Sequence, residues 1–561
     1  MKRKTISMSI VTLFLSCFFY VVFGLAYDPD LIGQLQEKLR NRIESAGVPP
    51  ALMVGEERIH ASTMLLKFYE NKVYVPAWFD NNGPVNNIDE LIKSIQDAAK
   101  EGLEPSDYHI ANITRMLEDI KKNQKNPKPF FYSRLVDLEL LLTDAYLLLG
   151  SHYLAGRVNP QTIDSEWFAY RHEIDLSEVL QNAFQYNNIK DSLQSFLPSQ
   201  SGYKSLRDAL AFYRNILEKG GWQTIPEGQS LKKGDKSERI VALRKRLSMT
   251  NDLKADQSPE SDYFDNELEE AVKLFQKRHG MDIDGAIGKM TLSALNKSVN
   301  ERIEQIEVNM ERWRWLPNNL GKRYIIVNIA NFELDVLEDN KEVMTMHAIV
   351  GKTYRRTPVF SGLMRYLVLN PYWQIPPGIA VKDILTDVKK DIGYLAKKNI
   401  KVFQGWGENI KEIDPATIDW SKITGKNLSY RFRQEPGPDN SLGDIKFMFP
   451  NQFDVYIHDT PSKELFQKTE RGFSSGCIRI QKPIELAEYV LKNDPNWTRD
   501  KIITSINKRM EQTVRLPEPI PVHILYWTAW ANEDGQINFR NDIYKRDQPL
   551  LKALKEAPPA N

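Results

Sequence analysis

The chain has 561 residues, 42% of them hydrophobic and 27% charged, which fits a folded protein with cores for three or four domains. Lysines plus arginines number 75 against 74 aspartates plus glutamates, a net charge of +1 that lacks the basic excess of a bulk nucleic-acid binder. No acidic or basic tail is present.

Residues 1–26 open with Lys2, Arg3 and Lys4 and continue as "ISMSIVTLFLSCFFYVVFGLA". This reads as an export signal cut after Gly24-Leu25-Ala26, or, since the apolar run is about 20 residues, as a retained membrane anchor. Residues 27–230 carry apolar residues at helical intervals, most densely in "FFYSRLVDLELLLTDAYLLLGSHYLAGRV", and predict a helical scaffold domain. His60, His109, His152 and His172 are scattered through it without metal-ligand spacing and read as core or surface histidines.

Residues 231–296 predict a small three-helix unit. Its stripes are marked by Val241, Leu243 and Leu247, then Val272, Leu274 and Phe275, then Leu292 and Leu295. A charged helix in 297–321 returns toward the scaffold. From Arg323 the period changes to short β-branched and aromatic runs, a β-rich domain over 322–510 interrupted by a helical and loop-like insert at about 381–440. Residues 511–561 read as a C-terminal hairpin, with its turn near Glu533-Asp534-Gly535, and a tail.

In an exported protein a cysteine usually has a partner. Here the chain has two, Cys17 within the N-terminal run and Cys477 in "RGFSSGCIRIQKP", so cleavage leaves Cys477 alone. A lone thiol is either a buried small hydrophobe or a nucleophile. His458, in "VYIHDTPS", lies upstream on a predicted strand, and Ser474-Ser475-Gly476 supplies a turn before the cysteine. That arrangement allows imidazole and thiol to meet, with Gly476 leaving backbone N–H groups free to face an oxyanion.

Two resemblances follow from these stretches. Residues 231–296, with "AVKLFQKRHG" and "DGAIGKMTLSALN", resemble the three-helix peptidoglycan-binding domain. His458 followed by "SSGCIR", with "VLNPYWQIPPGIAVKDIL" and "YRFRQEPGPDNSLGDIKFMFPN", resembles the L,D-transpeptidases, in particular the large Gram-negative members. The order of parts matches over nearly the whole chain. The implied fold is multidomain α+β: a helical scaffold, the three-helix module, and a β-sandwich catalytic domain carrying a capping insert.

The implied activity is acyl transfer through a Cys477 thioester, joining stem peptides by 3→3 cross-links between diaminopimelate residues in cell-wall synthesis or remodelling. His458 is then the proton donor and acceptor, oriented by a backbone carbonyl, which leaves Asp459 a structural or capping role. Ser474, Ser475 and Gly476 form the cysteine loop. Arg479, Tyr456, Trp373 and Tyr372 are candidate substrate-binding residues, Arg479 through a substrate carboxylate, with a surface ion pair or core packing as the plain readings. His347 and His523 read as core or supporting residues.

The family motif has histidine where this chain has Ser475, which opens the alternative of a catalytically weakened wall-binding scaffold. A separate alternative is an L,D-carboxypeptidase that hydrolyses the same thioester. No metal or cofactor is expected, and the partners implied are peptidoglycan stem peptides, with room for other wall-synthesis enzymes. The expected location is the periplasm, free or anchored to the inner membrane. Acylation of Cys477 by carbapenem-type β-lactams is a further implication, and the lysine- and aspartate-rich insert reads as a lid that excludes water.

Overall fold

The structure is a computed structural model describing residues 30–558 except 48–49, 124–129, 169–173, 255–259, 406 and 533–534. Residues 1–26, Cys17, His172 and the proposed Glu533-Asp534 turn therefore lie outside the described residues. Among the described residues no helix is long and apolar enough to cross a membrane.

The scaffold is built around helix α1 (Phe131–Ala155), whose leucines face every direction and are buried on nearly all sides. Its two buried carboxylates are satisfied by backbone: Glu139 accepts from Trp78 N at 3.0 Å, and Asp144 from Ala61 N at 2.6 Å. Helix α2 (Ser201–Glu218) completes the region.

The small module contains α3 (Glu238–Met249), α4 (Asn266–Arg278) and α5 (Lys289–Leu295), closed around Leu243, Leu247, Val272, Phe275 and Leu295. Val241 and Leu274, expected in the stripes, are only half-buried, and Ile240 and Leu268 take the core positions instead. Helix α6 (Val299–Arg314) starts at a Ser298/Glu301 capping box and shares a core with α2.

Among the described residues the main sheet of the β-rich domain has nine strands: β1 (Arg323–Asn328), β2 (Glu333–Glu338), β3 (Lys341–Gly351), β4 (Phe360–Leu369), β5 (Ile445–Met448), β6 (Ile457–His458), β7 (Gly472–Ser474), β8 (Ile478–Ile480) and β9 (Gln512–Leu525). They are ordered β7-β3-β8-β6-β5-β4-β9-β1-β2, and β2 pairs back onto β3. The sheet thus curls into one barrel-like sheet in place of the expected β-sandwich. The cause lies in β3, an 11-residue strand whose first part pairs with β2 and whose second part pairs with β8, so one strand joins both edges. The tight β2–β3 turn places Asp339 and Asn340 at φ of 51° and 63°, left-handed values that asparagine and aspartate tolerate.

Two boundaries move. Strand β9 pairs with both β4 and β1, so the domain continues through Leu525 and does not end at 510. Beyond it, Ala529–Ala531 pairs with Ile537–Phe539 as the hairpin. The insert starts before residue 381 and is more than helix and loop. It holds a four-stranded antiparallel sheet from Trp373–Gln374, Ile400–Gln404, Lys411–Ile413 and Tyr430–Gln434, with its own core around Leu385, Val402 and Phe432.

Candidate active site

Strand alternation builds the site. Ile445, Phe447, Ile457, Ile478 and Ile480 point into the barrel and are fully buried. Their neighbours Lys446, Tyr456, His458, Cys477 and Arg479 must therefore share the outer face. Register tightens the cluster: Lys446 pairs with His458 across β5–β6, and His458 with Arg479 across β6–β8. One polar patch thus collects residues separated by up to 33 positions in sequence.

His458 is buried, and its Nδ1 lies 2.5 Å from the carbonyl oxygen of Asp459. A carbonyl only accepts, so Nδ1 carries the hydrogen and Nε2 keeps its lone pair. The Asp459 carboxylate is engaged elsewhere, accepting from Asp444 N at 3.0 Å and Thr460 N at 2.7 Å, and it pairs with Lys463. It caps a loop and does not touch the imidazole. Burial, then the Arg479 and Lys446 cations, pulls the His458 pKa down to about 3.

The Cys477 thiol is half-buried, with Sγ 3.8 Å from the Asp454 carbonyl. Burial pushes its pKa up, while hydrogen bonds from Tyr456 and the Lys446 and Arg479 cations act the other way. Thiol and imidazole are thus both neutral at rest, and the thiol proton is directed at Asp454, not at His458. Among the described residues neither Lys446 nor Arg479 has an ion-pair partner, and Arg479 Nε finds no acceptor at all. The surface ion pair considered for Arg479 is absent. Lys446 instead rests its Nζ 3.9 Å from the centre of the Tyr456 ring.

The cysteine loop is held from several sides. Ser474 Oγ donates to Cys477 O at 2.6 Å and accepts from Gly476 N at 3.1 Å. The Gly476 N–H is consequently occupied by the Ser474 hydroxyl. Gly476 has φ 118°, where a side chain would be strained, and its carbonyl accepts from Thr357 Oγ1 at 2.8 Å. Ser475 is exposed and accepts from Arg355 Nη1 at 2.7 Å. The same Arg355 binds Asp383 of the insert at 2.7 and 3.3 Å, so one guanidinium joins the cysteine loop to the insert.

Trp373, on the insert, lies near the Tyr456 hydroxyl and favours its ionised form, against the larger effect of burial. Tyr372 is turned to other partners: Arg433 stacks 4.5 Å over its ring, and its N–H donates to Glu511 at 3.0 Å. His347 Nδ1 lies 3.0 Å from Phe466 O, and His523 bridges Ser361 and Leu320 O, both as supporting residues. Lys446 is a member with no role assigned from sequence, although the alternation in "DIKFMF" carries the signal. Arg355 and Asp383 had none, because their contacts span 120 and 28 positions. Among the described residues no cluster could hold a metal ion.

Three family models match this chain: a scaffold domain over 63–210, a "Putative peptidoglycan binding domain" over 236–295, and the L,D-transpeptidase catalytic domain over 322–503. A "Putative L,D-transpeptidase" of Haemophilus influenzae is 34% identical over 247 residues, covering 44% of this chain and 49% of that protein. The chain thus spans about half the length of this curated relative. Among solved structures, the L,D-transpeptidase (residues 123–326) of Xylanimonas cellulosilytica aligns at 14% identity and TM-score 0.18 over 54% of this chain and 99% of that one. The L,D-transpeptidase of Stackebrandtia nassauensis aligns at 13% identity and TM-score 0.20 over 54% and 97%. These TM-scores are too low to bear on the fold, so the assignment rests on the sequence matches and the site. On those grounds residues 322–503 carry an L,D-transpeptidase catalytic domain, preceded by stretches that match a scaffold domain and a peptidoglycan-binding domain.

Proposed function

We propose that the chain forms 3→3 cross-links in peptidoglycan by a cysteine acyl transfer, outside the cytoplasm. The observation that supports it most is the shared outer face: a thiol, an imidazole fixed in one tautomer, and two cations without carboxylate partners. His458 Nε2 takes the Cys477 proton as the thiolate attacks the carbonyl between the third and fourth residues of a donor stem. The tetrahedral adduct collapses, the C–N bond breaks, and the imidazolium returns its proton to the departing D-alanine amine. The acceptor amine of a second stem then attacks the thioester, gives its proton to His458, and restores the thiol by way of the same imidazole.

The cations set the order of events. An imidazolium beside Lys446 and Arg479 is costly, so proton transfer is favoured once a substrate carboxylate has entered and offset them. Arg479, and Lys446 beside it, are suited to that carboxylate, with Tyr456 and Trp373 forming the wall beneath the insert. The Cys477 N–H remains a candidate oxyanion donor in place of Gly476.

Ser475 is held by Arg355 and touches neither His458 nor Cys477 among the described hydrogen bonds, which favours retained activity over a decayed scaffold. The test is product analysis with purified protein, a stem tetrapeptide and an acceptor stem. Cross-linked dimer that vanishes in Cys477→Ala supports transfer. Tripeptide alone, at every acceptor concentration, identifies a carboxypeptidase, and no product of either kind identifies a wall-binding scaffold.

A further inference from the structure

On another side of the barrel lies a cleft of about 2010 Å³ that contains neither Cys477 nor His458. Its floor is the outer face of β1 and β2, where Tyr324, Ile326 and Asn328 alternate with the barrel core. One wall is the three-helix module, at the turn Met281–Asp284 and the start of α5. The other wall is formed by the C-terminal hairpin at Trp530 and by the segment Gln467–Arg471.

The gap is a fixed feature of the fold. Arg278, at the end of α4, is buried against Asp252 at 2.5 Å and donates to Ile537 O of the hairpin at 3.4 Å. Arg540 in turn donates to Arg278 O at 3.0 Å. Thr469 is hydrogen-bonded to Asp282 across the cleft mouth. The module is therefore fastened to the barrel at several points around the opening.

Its chemistry narrows the occupant. The volume exceeds the roughly 300–1,000 Å³ of a small-molecule pocket, and so suits a segment of polymer. Six acidic and five basic side chains line it, a balance that gives no field for a polyanion or polycation. Eleven asparagines and glutamines also line it, offering both donors and acceptors. Apolar platforms stand between them: Ile283 and Met290 on the module are 55% and 61% exposed, opposite the half-buried Trp530. Apolar faces with dense neutral hydrogen-bonding groups describe a carbohydrate ligand. We infer that this composite cleft binds the glycan backbone of the wall, shared between module, barrel and hairpin, and this rests on the peptidoglycan reading above. The segment Gln467–Arg471 leads within six residues to Cys477, so a strand seated in the cleft lies on the approach to the nucleophile.

The probe is peptide-free glycan, prepared by stripping stems from sacculi, titrated against full-length Cys477→Ala protein. Trp530→Ala and, separately, Met290→Asp in that background are expected to weaken binding at least fivefold. Met290 is exposed, so its substitution spares the core, and thermal unfolding of both variants reports folding directly. In the otherwise native enzyme both changes should leave acyl transfer on sugar-free stem peptides within twofold while slowing reaction on intact sacculi. Absence of glycan binding, or binding unchanged in both folded variants, overturns the cleft assignment. Glycan binding without any acyl transfer on sugar-free stems leaves the cleft standing and overturns the reaction proposed above.

Discussion

Arg355 hydrogen-bonds both the cysteine loop and the insert, and its removal is the most informative perturbation of the lid. Its guanidinium is largely buried, at 14% exposed, while Asp383 is 48% exposed, so the ion pair is partly screened. A bidentate but half-exposed pair contributes roughly 0.5–1 kcal/mol, and the Ser475 hydrogen bond about 0.5–1.5 kcal/mol more. Losing both in Arg355→Met should cost the closed insert about 1–2.5 kcal/mol, a shift of roughly 5–70-fold toward open forms. Water then competes better for the thioester, so the ratio of tripeptide to cross-linked dimer should rise severalfold at fixed acceptor. Asp383→Asn should give part of the effect and Ser475→Ala a smaller part, with the double variant Arg355→Met/Asp383→Asn close to Arg355→Met alone. Limited proteolysis of residues 381–440 provides a readout independent of chemistry. An unchanged product ratio together with unchanged proteolysis would refute the latch.

Two further outcomes follow from the electrostatics. Lys446→Met removes a cation that favours the thiolate, so the rate of Cys477 alkylation by iodoacetamide at pH 8 should fall, with its pH dependence displaced upward; an unchanged profile would remove Lys446 from the site. In the scaffold, His109 is raised to about 9: burial opposes the charge, but bonds to Asp144 and Glu57 outweigh it. Its folded pKa lies above the unfolded value, so this stabilisation is full below about pH 6.5 and lost as pH rises through 9, roughly 3 kcal/mol in all. Chemical denaturation of His109→Gln should show lower stability at pH 6 and a flatter decline to pH 9; a parallel decline would contradict the assignment.

The meeting of Cys477 and His458 on one face was legible because a lone thiol, a glycine turn and an upstream histidine are local signals. The outer-face cluster was legible in principle from alternation: Ile445, Phe447, Ile457 and Ile478 fix which neighbours point outward. Barrel closure was not, because it depends on β3 serving two partners, and the pairing of Arg479 with Ile349 has no sequence counterpart. Strand β9 was placed in the tail because its partners in β1 and β4 lie about 150–200 residues upstream. The occupied Gly476 N–H depended on one serine rotamer, and the Arg355 link on a side chain reaching across two loops. Such contacts are set by tertiary packing.

Intact-mass measurement of the protein, quenched after mixing with a stem tetrapeptide and separately with a carbapenem, tests the central claim most directly. The expected result is one acyl group on the native protein in both cases, D-alanine release with the peptide, and no adduct in Cys477→Ala. An adduct that persists in Cys477→Ala, or peptide turnover by that variant, would contradict a Cys477 thioester.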